Sequence, residues 1–225
     1  LCLGTWGIGG AGWDSYSDES RMDAIVAALD CGINFIDTAP AYNAGKAERY
    51  VGETLEKLEK RKDVIISTKC GNKYENGKYL RCGSKESILK QCDESLKNLR
   101  TDYIDIYLVH WPDPDVELEE TIDAVSTLKK EGKILHAGVS NFSKEQITEA
   151  QKYCEIEAFQ PQYSLVDRKD EKLIRWAYEQ GLGVMTYGTL GGGILTGTYR
   201  ELRTFEQADS RNRFYPYFKE PLFSK

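Results

Sequence analysis

Four side chains that together suit proton transfer follow short apolar segments of the sequence. Asp37, Lys69 and His110 each stand at the end of such a segment, and Tyr42 follows Asp37 in the next connection. Short apolar runs bounded by turn-forming residues are typical of buried strands in a parallel sheet. Because parallel strands end at the same edge of a sheet, we expect the four side chains to lie close together.

The chemistry that this set suits is proton delivery to a carbonyl oxygen. A carboxylate at the end of a buried strand requires a countercharge, which Lys69 can supply to Asp37. We also expect the Lys69 ammonium to lower the pKa of Tyr42, which is about 10 for an ordinary tyrosine. His110 can donate a hydrogen bond to the substrate oxygen. No side chain supplies a hydride for the carbonyl carbon, so the sequence predicts a cofactor that does.

The order of predicted elements places these residues at one end of a barrel. Seven strand-like segments alternate with amphipathic helical segments. The alternation predicts the α/β class, as a (β/α)8 TIM barrel with its site at the carboxyl ends of the strands. Seven βα units are readable and the eighth is absent, so we expect residues 1–225 to form a single barrel domain that is truncated at its C-terminus. The alternative is that another chain covers the two unpaired edge strands.

Local signals mark three helix starts and one long connection. Ser17 and Ser84 are favourable N-cap residues, and Ser143 with Gln146 matches the capping-box pattern. Residues 71–83 are rich in Gly, Asn and Lys. We interpret this segment as a long polar loop of the kind that commonly carries function.

Composition narrows the expected partners and compartment. The net charge of -6 over 225 residues argues against nucleic acid or an anionic membrane as a partner, since both attract basic surfaces. No apolar run approaches the roughly 18 residues of a membrane span. The six cysteines include no C-x-x-C pair, which is typical of reduced thiols in a cytoplasmic protein. With two histidines and no clustered cysteines, we expect no metal site.

Several short segments, each a weak signal alone, occur together in the order of a known family. They are residues 3–6, 32–39 with Tyr42, 67–69, 105–110, 138–142, 160–163, and Tyr187 with Leu190, Gly193, Leu195 and Gly197. On these segments, residues 1 to about 197 resemble the aldo-keto reductase family. The resemblance implies a barrel enzyme that binds NADPH or NADH across its mouth and acts on a small-molecule carbonyl or alcohol.

The same resemblance implies a role for each site residue. Tyr42 would be the general acid, tuned by Lys69 and Asp37, with His110 orienting the carbonyl. The predicted cofactor-binding residues lie at strand ends and in one glycine-rich loop. They are Thr5 and Trp6 beside the nicotinamide, Ser140, Asn141 and Gln162 at its carboxamide, Tyr187 stacked on its ring, and Gly188, Leu190 and Gly193 near the pyrophosphate. Trp13 and Trp111 would be walls of the substrate pocket.

The sequence departs from the family pattern in two places. Asn43 replaces the glycine that often follows the catalytic tyrosine, and Ala47-Glu48 replaces a Ser-Glu pair, which we expect to change local loop contacts. In addition, Gly188-Thr189 replaces a frequent Ser-Pro after Tyr187. The family's region for the adenosine 2′-phosphate follows the eighth strand, so the preference between NADPH and NADH is not readable.

Two other functions compete with a reductase. A nucleotide-binding sensor or regulatory subunit on the same fold would bind cofactor with little turnover. A metal-dependent isomerase would require more clustered acids and histidines than Asp37 and His110.

The aromatic residues 214, 215, 217 and 218 leave a choice between a lid over the substrate mouth and a surface patch. The sequence contains no readable signal for oligomeric state.

Overall fold

A computed structural model describes residues 1–13, 16–75 and 78–224. Its main sheet contains seven parallel strands, each followed by a crossover to the next. They are β1 (Leu3–Gly4), β2 (Phe35–Asp37), β3 (Ile65–Cys70), β6 (Ile104–Val109), β7 (Ile134–Ser140), β8 (Ala158–Gln160) and β9 (Gly183–Val184). The remaining pair, β4 (Asn72–Glu75) and β5 (Lys78–Arg81), forms a separate antiparallel hairpin.

The main sheet is curled so that distant strands face each other across its interior. In the sheet order, β2 is the second strand and β8 is the sixth. Nevertheless, Gln160 at the end of β8 donates a hydrogen bond of 2.8 Å from Nε2 to Oδ1 of Asp37 at the end of β2. Strand order, parallel pairing and this cross-sheet contact are those of a (β/α)8 barrel, so the predicted fold class is confirmed.

Helices cover the outside of the curled sheet. In chain order they are α1 (Trp6–Gly9), α2 (Asp18–Asp30), α3 (Lys46–Lys57), α4 (Lys85–Leu99), α5 (Leu118–Lys130), α6 (Lys144–Ala150), α7 (Glu171–Glu179) and α8 (Ser210–Phe214). The predicted N-caps are confirmed: Ser17 accepts from the Ser20 backbone N–H, Ser84 accepts from that of Ser87, and Ser143 forms the capping box with Gln146. Within the described residues, no helix combines the length and apolar character needed to cross a membrane.

The core lies between the sheet and this helical layer. Ile36, Ile66 and Val139 on the strands, and Val51 and Val125 on the helices, are fully buried. Each such side chain contributes about 1.5–3 kcal/mol by leaving water. This burial fixes the strands in register, and therefore fixes the side chains that project from their ends.

The prediction of a long polar loop over 71–83 was wrong for most of its length. Residues 76 and 77 lie outside the described residues, but β4 and β5 on either side pair antiparallel, with Lys73 opposite Leu80. In the same register Tyr74 is opposite Tyr79 and Asn72 is opposite Arg81. The composition of residues 71–83 did not predict the hairpin, because Lys and Gly are depleted in most strands.

The chain after β9 folds onto the barrel mouth through aromatic contacts. Phe218 is buried and packs edge-on against Tyr199 and Phe205 at centroid distances of 5.1 and 5.0 Å. Tyr215 is also buried, whereas Phe214 is exposed and contacts Trp6 at 5.1 Å. The alternative of a surface patch was therefore wrong for Tyr215 and Phe218, which are buried, whereas Phe214 lies at the mouth.

Candidate active site

Asp37, Lys69 and Tyr42 are linked by hydrogen bonds through the lysine ammonium. The Lys69 Nζ donates to Asp37 Oδ2 at 2.7 Å, to the Thr38 carbonyl at 2.8 Å and to the Tyr42 hydroxyl at 3.2 Å. These three contacts match the three N–H donors of an ammonium. Lys69 is only 1% exposed, so these three partners, rather than water, stabilise its charge in the barrel interior.

Strand register and one turn position this group. Asp37 pairs with Ser67, which places Lys69 two residues further along β3 on the same face. Tyr42 lies in a turn in which its N–H donates to the Ala39 carbonyl. Asn43, which departs from the family pattern, donates from Nδ2 to the Gly9 carbonyl at 2.7 Å and so ties this turn to α1.

The pKa of Tyr42 is raised to about 12, so the lowering expected from Lys69 is present but does not decide the net shift. Burial of the phenol is the largest cause, and Asp37 adds to it, while Lys69 acts in the opposite direction. The pKa of Lys69 is itself raised, because Asp37 and Tyr42 outweigh the effect of burial. Consequently Tyr42 stays protonated at neutral pH and can serve as a proton donor.

His110 lies beside Tyr42 in its neutral form. Its ring meets the Tyr42 ring edge-on at a centroid distance of 6.1 Å. Burial, together with the positive charges of Lys69 and Arg81, lowers the pKa of His110 well below its usual value. A neutral imidazole retains one N–H, so His110 can donate a hydrogen bond to a carbonyl oxygen without carrying charge.

These pKa shifts predict a flat pH profile for a reaction in which Tyr42 donates a proton. Tyr42 loses its proton only as the pH approaches about 12, and His110 is neutral at every pH above its lowered pKa. We expect kcat/KM for carbonyl reduction to change less than about threefold between about pH 6 and pH 9, measured at saturating cofactor. A steep decline below about pH 6.5, the ordinary histidine pKa, would show that His110 becomes charged.

A cavity of about 190 Å³ opens above Tyr42 and His110. Its walls combine aromatic rings with amide, hydroxyl and guanidinium groups. The lining residues are Trp6, Ala41, Tyr42, Asn72, Tyr79, Arg81, His110, Trp111, Ser140, Asn141, Gln160, Tyr187, Arg213 and Phe214. The hairpin of β4 and β5 and helix α8 therefore form the outer part of this cavity.

Three of the predicted cofactor residues meet in one hydrogen-bonded chain on the cavity wall. The Tyr187 hydroxyl donates to Asn141 Oδ1 at 2.8 Å, and Asn141 Nδ2 donates to the Ser140 hydroxyl at 2.9 Å. Asn141 Nδ2 also donates to the His110 backbone carbonyl at 3.0 Å. Asn141 has a φ of 60°, a left-handed conformation that asparagine tolerates better than most residues. This chain fixes the Tyr187 ring relative to His110.

The structure places Gln160, rather than the predicted Gln162, on the cavity. Gln160 is the last residue of β8, it is 4% exposed, and its amide donates to Asp37. Gln162 lies away from the cavity, with Oε1 accepting from the Lys169 ammonium at 3.4 Å. β8 ends at Gln160, which pairs with Ser140 at the end of β7. Gln160 therefore lies at the same level as Ser140, and this position at the strand end is the signal that identifies it.

A second cavity of about 480 Å³ shares Trp6, Tyr42, Gln160 and Tyr187 with the first. It continues along the end of β9, where Gly188 lines it. The other residues predicted to contact the cofactor are outside this lining. Thr5 is buried and bonded to the Asp37 carbonyl. Leu190 and Gly193 lie beyond the cavity, Leu190 immediately before the 3-10 turn Gly191–Thr196 and Gly193 within it.

The residues that line the smaller cavity suit a nicotinamide ring. The side chains of Ser140, Asn141 and Gln160 supply amide and hydroxyl groups of the kind that pairs with a carboxamide. Within the described residues, Gln160 Oε1 accepts no hydrogen bond although its Nε2 is used. The Tyr187 ring lines both cavities beside them. The donor set therefore fits the cofactor that the sequence predicted.

Comparison with known proteins agrees with this arrangement. The profile of the aldo/keto reductase family matches residues 1–221. The chain belongs to the aldo/keto reductase family. It is 41% identical to the aldo-keto reductase YhdN of Bacillus subtilis over 99% of this chain and 67% of the relative. It is 40% identical to the NADH-specific methylglyoxal reductase of Escherichia coli over 87% of this chain and 65% of the relative.

A solved structure shows the same fold. The glycerol dehydrogenase AKR11B4 from Gluconobacter oxydans superposes with a TM-score of 0.89 and 37% identity, covering 99% of this chain and 69% of that structure. This chain thus spans about two thirds of the length of these aldo/keto reductases.

The two tryptophans predicted as pocket walls occupy different positions in this family member. Trp111 lines the smaller cavity, as expected of a wall. Trp13 lies one layer behind, packed edge-on against Trp6 at 5.1 Å. Trp6 itself stacks on Tyr42 at 6.3 Å and lines both cavities. Trp6 is therefore the aromatic wall next to the proton donor, and Trp13 supports it.

Glu48 supports the site from the outer side of the barrel, a role that the sequence analysis missed. It is fully buried and accepts hydrogen bonds from the Thr68 hydroxyl at 2.7 Å and from the Asn98 amide at 3.0 Å. Burial raises the pKa of Glu48, against the effect of these hydrogen bonds. Since Glu48 precedes Val51 by one helical turn, it falls on the apolar stripe of α3. A carboxylate on that stripe is the signal of a buried polar network.

Proposed function

We propose that this protein is an NAD(P)H-dependent oxidoreductase that reduces an aldehyde or ketone to an alcohol, or catalyses the reverse reaction. The observation that carries the proposal is the bonded series Asp37, Lys69 and Tyr42, which ends in a cavity next to neutral His110. A protonated phenol and an imidazole N–H on the same small cavity are two donors for one carbonyl oxygen.

The four residues have separate roles in this proposal. Tyr42 transfers its hydroxyl proton to the carbonyl oxygen, and the Lys69 ammonium stabilises the phenolate that remains. Asp37 keeps Lys69 charged and in place through their 2.7 Å contact. His110 orients the carbonyl by hydrogen bonding, since its low pKa leaves it neutral. In the reverse direction, the phenolate accepts the alcohol proton.

A nicotinamide cofactor would supply or accept the hydride at the carbonyl carbon. Ser140, Asn141 and Gln160 would bind its carboxamide, and Tyr187 would stack on its ring. The Escherichia coli relative is named as specific for NADH, which supports the nicotinamide assignment without deciding between NADH and NADPH for this chain. We further propose a cytoplasmic location, which six unpaired cysteine thiols support.

The test of the proposal is the oxidation of NADPH or NADH by the complete protein in the presence of aromatic and aliphatic carbonyl compounds. Loss of the reduced-nicotinamide absorbance, with stoichiometric alcohol formation, is the expected result. Tight cofactor binding without turnover across the whole panel would instead favour the sensor function. That alternative is less well supported, because a sensor has no need of a complete proton-donating series.

A matched pair of variants tests the assignment of the carboxamide site. Gln160→Ala should raise the Kd for reduced cofactor about tenfold, which corresponds to loss of a hydrogen bond of about 1.4 kcal/mol. Gln162→Ala should change it less than about twofold, because Gln162 lies off the cavity. Fluorescence titration measures both constants. A larger effect at Gln162 than at Gln160 would return the assignment to the original prediction.

A further inference from the structure

The outer part of the smaller cavity is positively charged. Arg81, the last residue of β5, and Arg213, on α8, both line it. Among the described residues, no aspartate or glutamate lines this cavity. The chain as a whole carries a net charge of -6, so the positive charge of these two arginines is opposite in sign to the net charge of the protein. A local field of this sign attracts anions to the cavity.

Aromatic side chains hold both guanidinium groups at the cavity wall. The Arg81 guanidinium lies 4.8 Å from the centroid of the Trp111 ring, and its Nη1 donates to Asn72 Oδ1 at 2.7 Å. The Arg213 guanidinium lies 5.1 Å from the centroid of the Phe214 ring. Cation–π contacts of this kind fix a guanidinium while leaving its edge N–H groups open to a ligand.

Neither guanidinium forms an ion pair with a carboxylate within the described part of the chain, although Asp113 is near enough to Arg81 to raise its pKa against the larger, lowering effect of burial. By contrast, Arg61 forms an ion pair with Asp105 at 2.8 Å. A guanidinium has five N–H donors, of which Arg81 uses one for Asn72. Arg81 is also near enough to His110 to contribute to the lowered pKa of that residue. The remaining N–H donors of Arg81 therefore lie in the same cavity as His110.

We infer that the substrate is a small carbonyl compound that also carries a carboxylate. The carbonyl oxygen would lie at Tyr42 and His110, and the carboxylate at Arg81 and Arg213. Planar carboxylates match the forked guanidinium, which can donate two parallel hydrogen bonds. A cavity of about 190 Å³ restricts this ligand to a small molecule. The inference rests on the proposed reductase function and specifies its substrate class.

The test compares 4-formylbenzoate with 4-formylbenzamide, which share shape and aldehyde but differ in charge. For the wild type, kcat/KM should favour the carboxylate by about tenfold, mainly through KM, as expected for charge-assisted hydrogen bonds at a partly exposed site. Arg81→Gln and Arg213→Gln should each lower this ratio toward one. Higher salt should also lower it, because both arginines are exposed at the cavity mouth.

Controls separate the possible outcomes. Arg175→Gln removes a surface arginine whose side chain is 73% exposed and should leave the ratio unchanged. Equal rates for the two aldehydes in the wild type would overturn the inference while leaving the reductase intact. Absence of turnover with either compound, and with the uncharged carbonyl panel, would overturn the proposed function itself. A raised KM for NADPH in both arginine variants, with the substrate ratio unchanged, would assign the arginines to cofactor phosphates and overturn the inference.

Discussion

Replacing Tyr42 with phenylalanine should lower kcat for carbonyl reduction by about 10²- to 10⁴-fold, the usual contribution of a general acid. The ring remains to stack on Trp6, whereas the hydroxyl that accepts from Lys69 and faces the cavity is removed. The fold should be retained because the change removes one oxygen from a partly exposed residue. Single-turnover kinetics with preformed enzyme–cofactor complex would measure the chemical step directly.

The control for this variant is Tyr50→Phe. The Tyr50 hydroxyl donates to Asp18 on the outside of the barrel, so its removal should leave kcat unchanged. The Kd for reduced cofactor should remain within about threefold in both variants, because neither hydroxyl belongs to the carboxamide site. Near wild-type kcat in Tyr42→Phe would show that another group donates the proton.

Replacing Lys69 with methionine should damage both activity and stability. The variant leaves the Asp37 carboxylate buried without its ammonium, and breaking a buried ion pair in this way costs about 3–5 kcal/mol. It also removes the charge that opposes the raised pKa of Tyr42, so the phenol becomes a still weaker acid. We expect kcat to fall by at least about 100-fold, measured at a temperature where circular dichroism shows the variant to be folded.

Two comparisons distinguish the effects on activity and stability. Lys133→Met breaks a partly exposed ion pair with Asp93, and should cost less than about 1 kcal/mol with no change in kcat. Adding Asp37→Asn to Lys69→Met removes the uncompensated charge and should recover part of the stability without recovering activity. Wild-type kcat in Lys69→Met would exclude the ammonium from the proton-donating series.

The hairpin and the glutamine assignment illustrate what local sequence patterns leave undetermined. Residues 71–83 read as a loop by composition, yet strand pairing across the hairpin places Arg81 against Trp111. Similarly, Gln160 and Gln162 are two residues apart in one short segment, so local sequence does not decide which of them lies on the cavity. Only the pairing of β8 with β7 shows that Gln160 is level with Ser140. Both outcomes depend on contacts between residues that are distant in sequence.

The sequence by itself determined the order of the elements and the approximate positions of Asp37, Lys69 and His110. Apolar runs mark parallel strands, and such strands end at one edge of a barrel, so the grouping of their terminal residues follows from topology alone. The tertiary structure decided the protonation state of Tyr42 and the placement of Glu48. Burial outweighs Lys69 in setting the Tyr42 pKa, and the extent of burial exists only once helices and strands have packed.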